Sequence, residues 1–198
     1  MDDVVILVPL KRFDIAKLRL RESGVAAATE IARALAAQVL EASHPRHVIV
    51  IGESEEIAAF AHDHGAESFE SRATDLNDAV TRAYRFAGER FEYVIIAHGD
   101  LREPTGLGTF APSEGVTIFS DHHGTGTNVL ILPTELDFHF AYGVQSARHH
   151  LREAHRLHLT TTLVTDSPWR FDIDESDDLG PITHAYGGAE WPPHTTNP

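Results

Sequence analysis

Six short apolar runs punctuate the chain: Val4–Val8, Val48–Ile51, Tyr93–Ile96, Val116–Phe119, Asn128–Leu132 and Thr161–Val164. Most are too short and too rich in β-branched residues for a helix. Their continuous apolarity, without polar alternation, predicts strands covered on both faces, as in a mostly parallel sheet. Between the runs the pattern changes to a helical period. Residues 26–42 are Ala-rich and carry Ile31, Leu35 and Val39 at four-residue spacing. Ser54 precedes Glu55 and Glu56 and predicts an N-cap for a helix to about His64, ended by Gly65. Asp75 is placed to cap a helix bearing Leu76, Ala79, Val80, Ala83 and Phe86, and Ser146–His158 predicts another with Leu151 and Ala154 inward. Strand–helix alternation on this scale predicts βαβ units and a right-handed, doubly wound α/β sheet. Val5, Leu7, Val50, Ile95 and Leu130 are its expected core, with Ile31 and Leu35 packed on it.

A length of 198 residues suits a single domain, placed at 1–180, with a Pro-, Gly- and Thr-rich tail at 181–198 read as extended. Charge narrows the choice of partners. Against 16 Lys and Arg stand 30 Asp and Glu, a net −14 that repels nucleic acid and anionic lipid. The absence of cysteine excludes disulfides, thiolate zinc sites, iron–sulfur clusters and a cysteine nucleophile. No signal peptide or bilayer-length apolar stretch is read, so the expectation is a cytoplasmic protein with neither nucleic acid nor membrane as partner. A homodimer stays open.

In such sheets ligands gather at the carboxyl ends of the strands. After the first run come Lys11, Arg12, Lys17, Arg19 and Arg21, five cations within eleven residues. They suit a triphosphate cradle, since Arg forks phosphate oxygens and Lys supplies a point charge, and they equally suit a solvated basic loop. No Walker A pattern accompanies them. Asp100 follows the third run beside Gly99, a place for a Mg²⁺ ligand or for a turn. Gly124-Thr125-Gly126-Thr127 offers amides and hydroxyls to a phosphate, or a plain turn. Gly143 and Ser146 open a helix whose free amides suit an anion, with a simple Ser N-cap as the alternative. Asp172 and Asp174, two apart in an extended segment, can aim at one hard cation; an acidic helix start would also read this way.

Taken together and in order, these pieces resemble the 2-phospho-L-lactate/phosphoenolpyruvate guanylyltransferase family of coenzyme F-420 biosynthesis. The resemblance rests on Val8-Pro9-Leu10-Lys11 with Ala16-Lys17-Leu18-Arg19-Leu20, on Leu76-Asn77, on Gly99-Asp100-Leu101 and on Gly124-Thr125-Gly126-Thr127. It extends to Gly143-x-x-Ser146-Ala147-Arg148-x-His150 and to Asp172-Ile173-Asp174 with Asp178-Leu179. The chain departs from the family pattern at Leu18, Asp75 and Arg102-Glu103. The resemblance implies a nucleotidyltransferase fold, Rossmann-like and of glycosyltransferase-A type, with a mostly parallel mixed sheet. It implies that Asp100, Asp172 and Asp174 hold Mg²⁺. It implies that Thr127, Gly143 and Ser146 bind the phosphorylated acid. GTP would lie over Lys11, Lys17 and Arg19, with Leu76 and Asn77 close to the nucleotide.

The chemistry so implied needs no protein nucleophile. The acceptor's phosphate oxygen attacks the α-phosphorus of GTP, and two Mg²⁺ ions, or one with Lys17, offset the repulsion between two anions. No Gly-x-Ser-x-Gly elbow supports a serine nucleophile. The 14 histidines include no His-Glu-x-x-His, and the adjacent pairs His122-His123 and His149-His150 are expected to point apart. Two rivals are another nucleotidyltransferase of the same fold, such as a molybdenum-cofactor guanylyltransferase, and a non-catalytic nucleotide- or anion-binding homologue. Pro9-Leu10-Lys11 stands where the molybdenum-cofactor type carries a Gly-rich loop.

Overall fold

The computed structural model describes residues 3–179. The expected tail, 181–198, lies outside the described residues. Seven strands form one sheet: β1 (Val4–Pro9), β2 (His47–Gly52), β3 (Glu67–Glu70), β4 (Tyr93–Ala97), β5 (Val116–Ser120), β6 (Thr127–Pro133) and β7 (Thr161–Val164). Five helices are α1 (Leu18–Glu22), α2 (Ala28–Ala42), α3 (Glu55–Asp63), α4 (Leu76–Gly88) and α5 (Ser146–Arg156). The strand order is β3-β2-β1-β4-β6-β5-β7. Only β6 runs against its neighbours, pairing antiparallel with both β4 and β5. The sheet is therefore mixed and mostly parallel. Among the described residues no helix is long and apolar enough to cross a membrane.

Five of the six apolar runs are strands covered on both faces; the sixth, β7, departs from that expectation as an edge strand whose Leu163 is 46% exposed. One face of β1 presents Val4, Ile6 and Val8 to Ala32, Ala36, Val39 and Leu40 of α2 and to Ile57 and Phe60 of α3. The other presents Val5 and Leu7 to Val80, Ala83 and Tyr84 of α4. Val5, Leu7, Val50, Ile95 and Leu130 are fully buried. The helix starts follow their caps. The Ser54 hydroxyl accepts from Ile57 N and the Asp75 carboxylate from Asp78 N, each a cap worth about 1 kcal/mol.

Two expectations fail here. Ile31 and Leu35 do not pack on the sheet; they join Leu20, Ala28 and Ile173 in a separate cluster. The sheet face of α2 is instead built from Ala32, Ala36, Val39 and Leu40, while Ile31 and Leu35 face Leu20 and Ile173 in the segments that carry the site. The second concerns His122 and His123. They stand in a turn, not a regular element, and their rings lie 3.7 Å apart instead of pointing apart. Strand β3 and the short α1 were also not foreseen. Along β3 half-buried and exposed positions alternate with Phe69 as its one large apolar residue, a weak pattern typical of a sheet edge.

Candidate active site

The antiparallel insertion of β6 shapes the site. Because β6 runs against β4, its first residues stand beside the last residues of β4. Asp100, just past β4, and Thr127, at the start of β6, are thus delivered to the same end of the central strands. His98 N donates to Asn128 O at 3.0 Å and ties the two together. Gly99 lets the turn press against Leu10, whose side chain a Cβ would strike.

A short antiparallel bridge brings the remaining carboxylates to Asp100. Leu101 pairs with Asp172. Arg102 N donates to Phe171 O at 2.8 Å, and Ile173 N to Asp100 O at 3.2 Å. Ile173, 1% exposed, is sunk in the cluster with Leu20 and Leu35. Alternation then turns Asp172 and Asp174 to the opposite side, toward Asp100. One carboxylate oxygen from each of Asp100, Asp172 and Asp174 lies within 4.8 Å of the others. Two more residues hold this arrangement. Asn128 Nδ2 donates to Asp172 Oδ1 at 3.3 Å, and Asp178 Oδ2 accepts from the backbone N of Asp174 and Glu175 at 2.9 and 2.7 Å.

Lys17 closes the cluster from the loop after β1. Its Nζ donates to Asp100 Oδ2 at 2.5 Å and to Asp174 Oδ1 at 2.9 Å, with its side chain only 6% exposed. It holds φ 55 and ψ 45, the left-handed region that a non-glycine residue adopts at a cost. Burial works to lower the ammonium's pKa, but Asp100 and Asp174 outweigh it and the net shift is upward. Asp100 is the mirror case: burial works to raise it, and Lys17 and His98 carry it below the usual carboxylate range. Asp172 receives little of that help. Burial, then the charges of Asp100 and Asp174, push it up to about 7.

Three clustered carboxylates, one of them held from ionising freely, form an all-oxygen donor set suited to a hard cation. Asp100 Oδ1 is buried and has no hydrogen-bond partner, a buried acceptor that a cation would satisfy. The residues present therefore fit Mg²⁺. Among the described residues, no other group of three or more His, Asp or Glu is arranged for a metal.

Beside the carboxylates lies a polar nest on α5. Ser146 Oγ donates to Thr127 Oγ1 at 3.2 Å, and Thr127 Oγ1 meets His150 Nδ1 at 3.0 Å. Ser146 is not the N-cap of α5. Gln145 holds that position, at φ 61, and Ser146 is the buried first residue, so its hydroxyl is spent on Thr127 and not on the helix end. Gly143 has φ 121 with open space around it; backbone conformation, not crowding, calls for glycine there. Tyr142 packs between the rings of His98 and His150, at 5.3 and 4.8 Å between centroids. Its buried hydroxyl and His98 Nε2 both lack partners.

Other expected residues make contacts within the protein. Asn77 is clamped to Tyr142: its Oδ1 accepts from Tyr142 N at 2.6 Å and its Nδ2 donates to Tyr142 O at 3.3 Å. Leu76 packs against the core. The five cations of the first loop also divide. Arg21 binds the carbonyls of Ala16 and Phe13 and the Thr29 hydroxyl, and Arg12 pairs with Asp14. Arg19 reaches Glu175 at 3.3 Å and Asp174 at 3.9 Å, and Lys11 is exposed. In the Gly-Thr-Gly-Thr turn, the Thr125 amide and hydroxyl are already taken by Asp121, because that carboxylate closes the turn. Sequence reasoning missed the supports, Asn128 and Tyr142. For Asn128 the one available signal was an amide opening an apolar strand.

Comparison with known proteins agrees with this architecture. A phosphoenolpyruvate guanylyltransferase from Chloroflexus aggregans is 29% identical over 191 residues, covering 88% of this chain and 94% of that protein. One from Roseiflexus castenholzii is 31% identical over 182 residues, covering 89% and 86%. A nucleotidyl transferase from Methanothermobacter thermautotroptrophicus superposes with a TM-score of 0.64 at 14% identity, over 90% of this chain and 95% of that one, and so shares the fold. The model of the family described as "Guanylyl transferase CofC like" matches residues 4–189, nearly the whole length, and the chain belongs to that family.

Proposed function

We propose that this protein transfers GMP from GTP to a small phosphorylated carboxylic acid, phosphoenolpyruvate or 2-phospho-L-lactate, and releases pyrophosphate. The observation that carries the reading is the Asp100–Asp172–Asp174 cluster, with Asp100 Oδ1 buried and unpartnered beside an ammonium. The named activity of the Chloroflexus and Roseiflexus relatives supports the choice of nucleotide and acceptor.

Asp100, Asp172 and Asp174 would hold Mg²⁺. Bound there, the metal supplies positive charge where the acceptor's phosphate and the triphosphate meet. An acceptor phosphate oxygen forms the new bond to the α-phosphorus, and the bond to the β-phosphate oxygen breaks. The attacking oxygen is already ionised, so no side chain need remove a proton. The protein's tasks are charge, alignment and exclusion of water. Lys17 holds Asp100 in its ionised form, bonds Asp174 as well, and adds a fixed positive charge at the same place. Lys11 and Arg19 receive the distal phosphates. The hydrogen-bonded Thr127–Ser146 pair offers its one uncommitted hydroxyl proton to the acceptor, and Gly143 lets the backbone come close to it.

The test is pyrophosphate release from GTP with Mg²⁺, run against phosphoenolpyruvate, 2-phospho-L-lactate and 3-phosphoglycerate. Release that depends on one of the first two acceptors supports the reading. Release with none of the three, or with another nucleoside triphosphate in preference to GTP, removes it.

A further inference from the structure

His150 is a polar ring in an apolar place. It is fully buried on α5, with Phe138, Phe140 and Tyr142 around it. Such a ring is stable there only if both nitrogens are satisfied, and both are. Nε2 faces Ala141 N at 3.1 Å, and Nδ1 faces Thr127 Oγ1 at 3.0 Å.

The partners differ in kind, and that difference fixes the tautomer. A backbone N–H can only donate, so Nε2 must present its lone pair to Ala141. The proton of the neutral ring is then on Nδ1, and Nδ1–H donates to Thr127 Oγ1. Burial holds the imidazole down to about 4, so it stays neutral through the physiological range. Thr127 Oγ1 also meets Ser146 Oγ at 3.2 Å. With a proton entering from His150, one hydroxyl proton of the Thr127–Ser146 pair is left over, and it has to point out of the pair. The opposite tautomer would draw that proton inward and leave a lone pair facing any incoming anion.

We infer that His150 is a positioning residue: by donating to Thr127 Oγ1, which also accepts from Ser146 Oγ, it keeps the Thr127 hydroxyl proton out of both contacts and free to donate to an anionic oxygen of the acceptor. This rests on the assignment of Thr127 and Ser146 to the acceptor made above. The inference separates His150 from a mere filler of the aromatic nest, because a filler has no preferred direction of hydrogen bonding.

Two measurements test it. Long-range ¹H–¹⁵N NMR of the wild-type histidine rings reads the tautomer without reference to activity, with His150→Gln and His150→Asn assigning the signal. Nδ1–H at about pH 7 is expected. Nε2–H or a charged ring at that pH overturns the inference even in an active enzyme. Calorimetric titration with phosphoenolpyruvate, and separately with GTP, then compares the same two variants. His150→Gln keeps an acceptor near Ala141 N but withdraws the donor from Thr127; His150→Asn keeps a donor at the Nδ1 position. The Gln variant should bind phosphoenolpyruvate about tenfold more weakly, the scale of one lost hydrogen bond to a charged group, and the Asn variant should stay closer to wild type. GTP affinity should change by less than about twofold in both. Equal losses in the two variants, or equal losses for both ligands, would overturn it. Wild-type protein that binds neither phosphoenolpyruvate nor 2-phospho-L-lactate would instead sink the acceptor assignment, whatever the tautomer.

Discussion

Lys17 Nζ lies 2.5 Å from Asp100 Oδ2, across 83 residues of sequence, with its side chain 6% exposed. This contact joins the loop after β1 to the turn after β4, and its second arm reaches Asp174. It neutralises carboxylates that would otherwise repel one another.

Lys17→Met tests that contact. It strips Asp100 of its counter-charge in a largely dry position. Metal-free stability should fall by up to about 3 kcal/mol, the low end for breaking a buried pair because Asp100 remains 25% exposed. Added Mg²⁺ should raise the melting temperature more in the variant than in wild type. Calorimetry with and without metal gives the answer; unchanged metal-free stability would return Lys17 to the role of a solvated cation.

Asp172 carries a pH signature. Its folded pKa, about 7, lies above the ordinary carboxylate value. The folded state thus binds the proton more tightly than the unfolded chain. This group's contribution is fully present below its unfolded pKa and is lost as pH rises through about 7. Without metal, Asp172→Asn should therefore melt above wild type at about pH 8 and near it at about pH 4. A difference in melting temperature that does not change with pH would contradict the assignment.

Ser146→Ala separates acceptor from nucleotide. The hydroxyl bonds Thr127 and does not cap α5, so helix stability should be little affected. The KM for the acceptor should rise about tenfold, with the KM for GTP nearly constant. Steady-state kinetics with each substrate varied in turn decides this.

Ile173→Ala reaches the site from behind. Ile173 anchors the Asp172–Asp174 segment in the cluster with Leu20 and Leu35. Its truncation should cost about 2–5 kcal/mol and also lower metal affinity, since the carboxylates lose their fixed register. Denaturant unfolding and Mg²⁺ titration measure the two effects; lost stability with unchanged metal affinity would show that the bridge from Leu101 to Asp172 suffices alone.

Most of the fold could be read from the sequence because the central strands are apolar on both faces. Edge strand β3 could not, since half of it faces solvent. The position of β6 was equally hidden: apolar content says nothing about direction, and it is the reversal of β6 that carries Thr127 to Asp100. Within the site, the side chains named by motif are brought together at Asp100, Asp172, Asp174 and Lys17. What the motifs did not reveal is how they are held. Asn77, named by its motif as close to the nucleotide, also holds Tyr142 through both of its amide atoms. His150 is marked by the family motif, but its bond to Thr127 is not, and the bond of Asn128 to Asp172 has no linear signature either, because both partners lie far along the chain.

The most direct measurement is turnover by Asp174→Asn, followed as pyrophosphate released from GTP in the presence of phosphoenolpyruvate and Mg²⁺. The substitution preserves shape and hydrogen bonding while removing one charge from the carboxylate cluster. Wild-type release should vanish with a chelator, and kcat of the variant should fall at least about a hundredfold, the scale of losing one preorganised electrostatic group. Turnover in Asp174→Asn equal to wild type, or wild-type release indifferent to the chelator, would contradict the account.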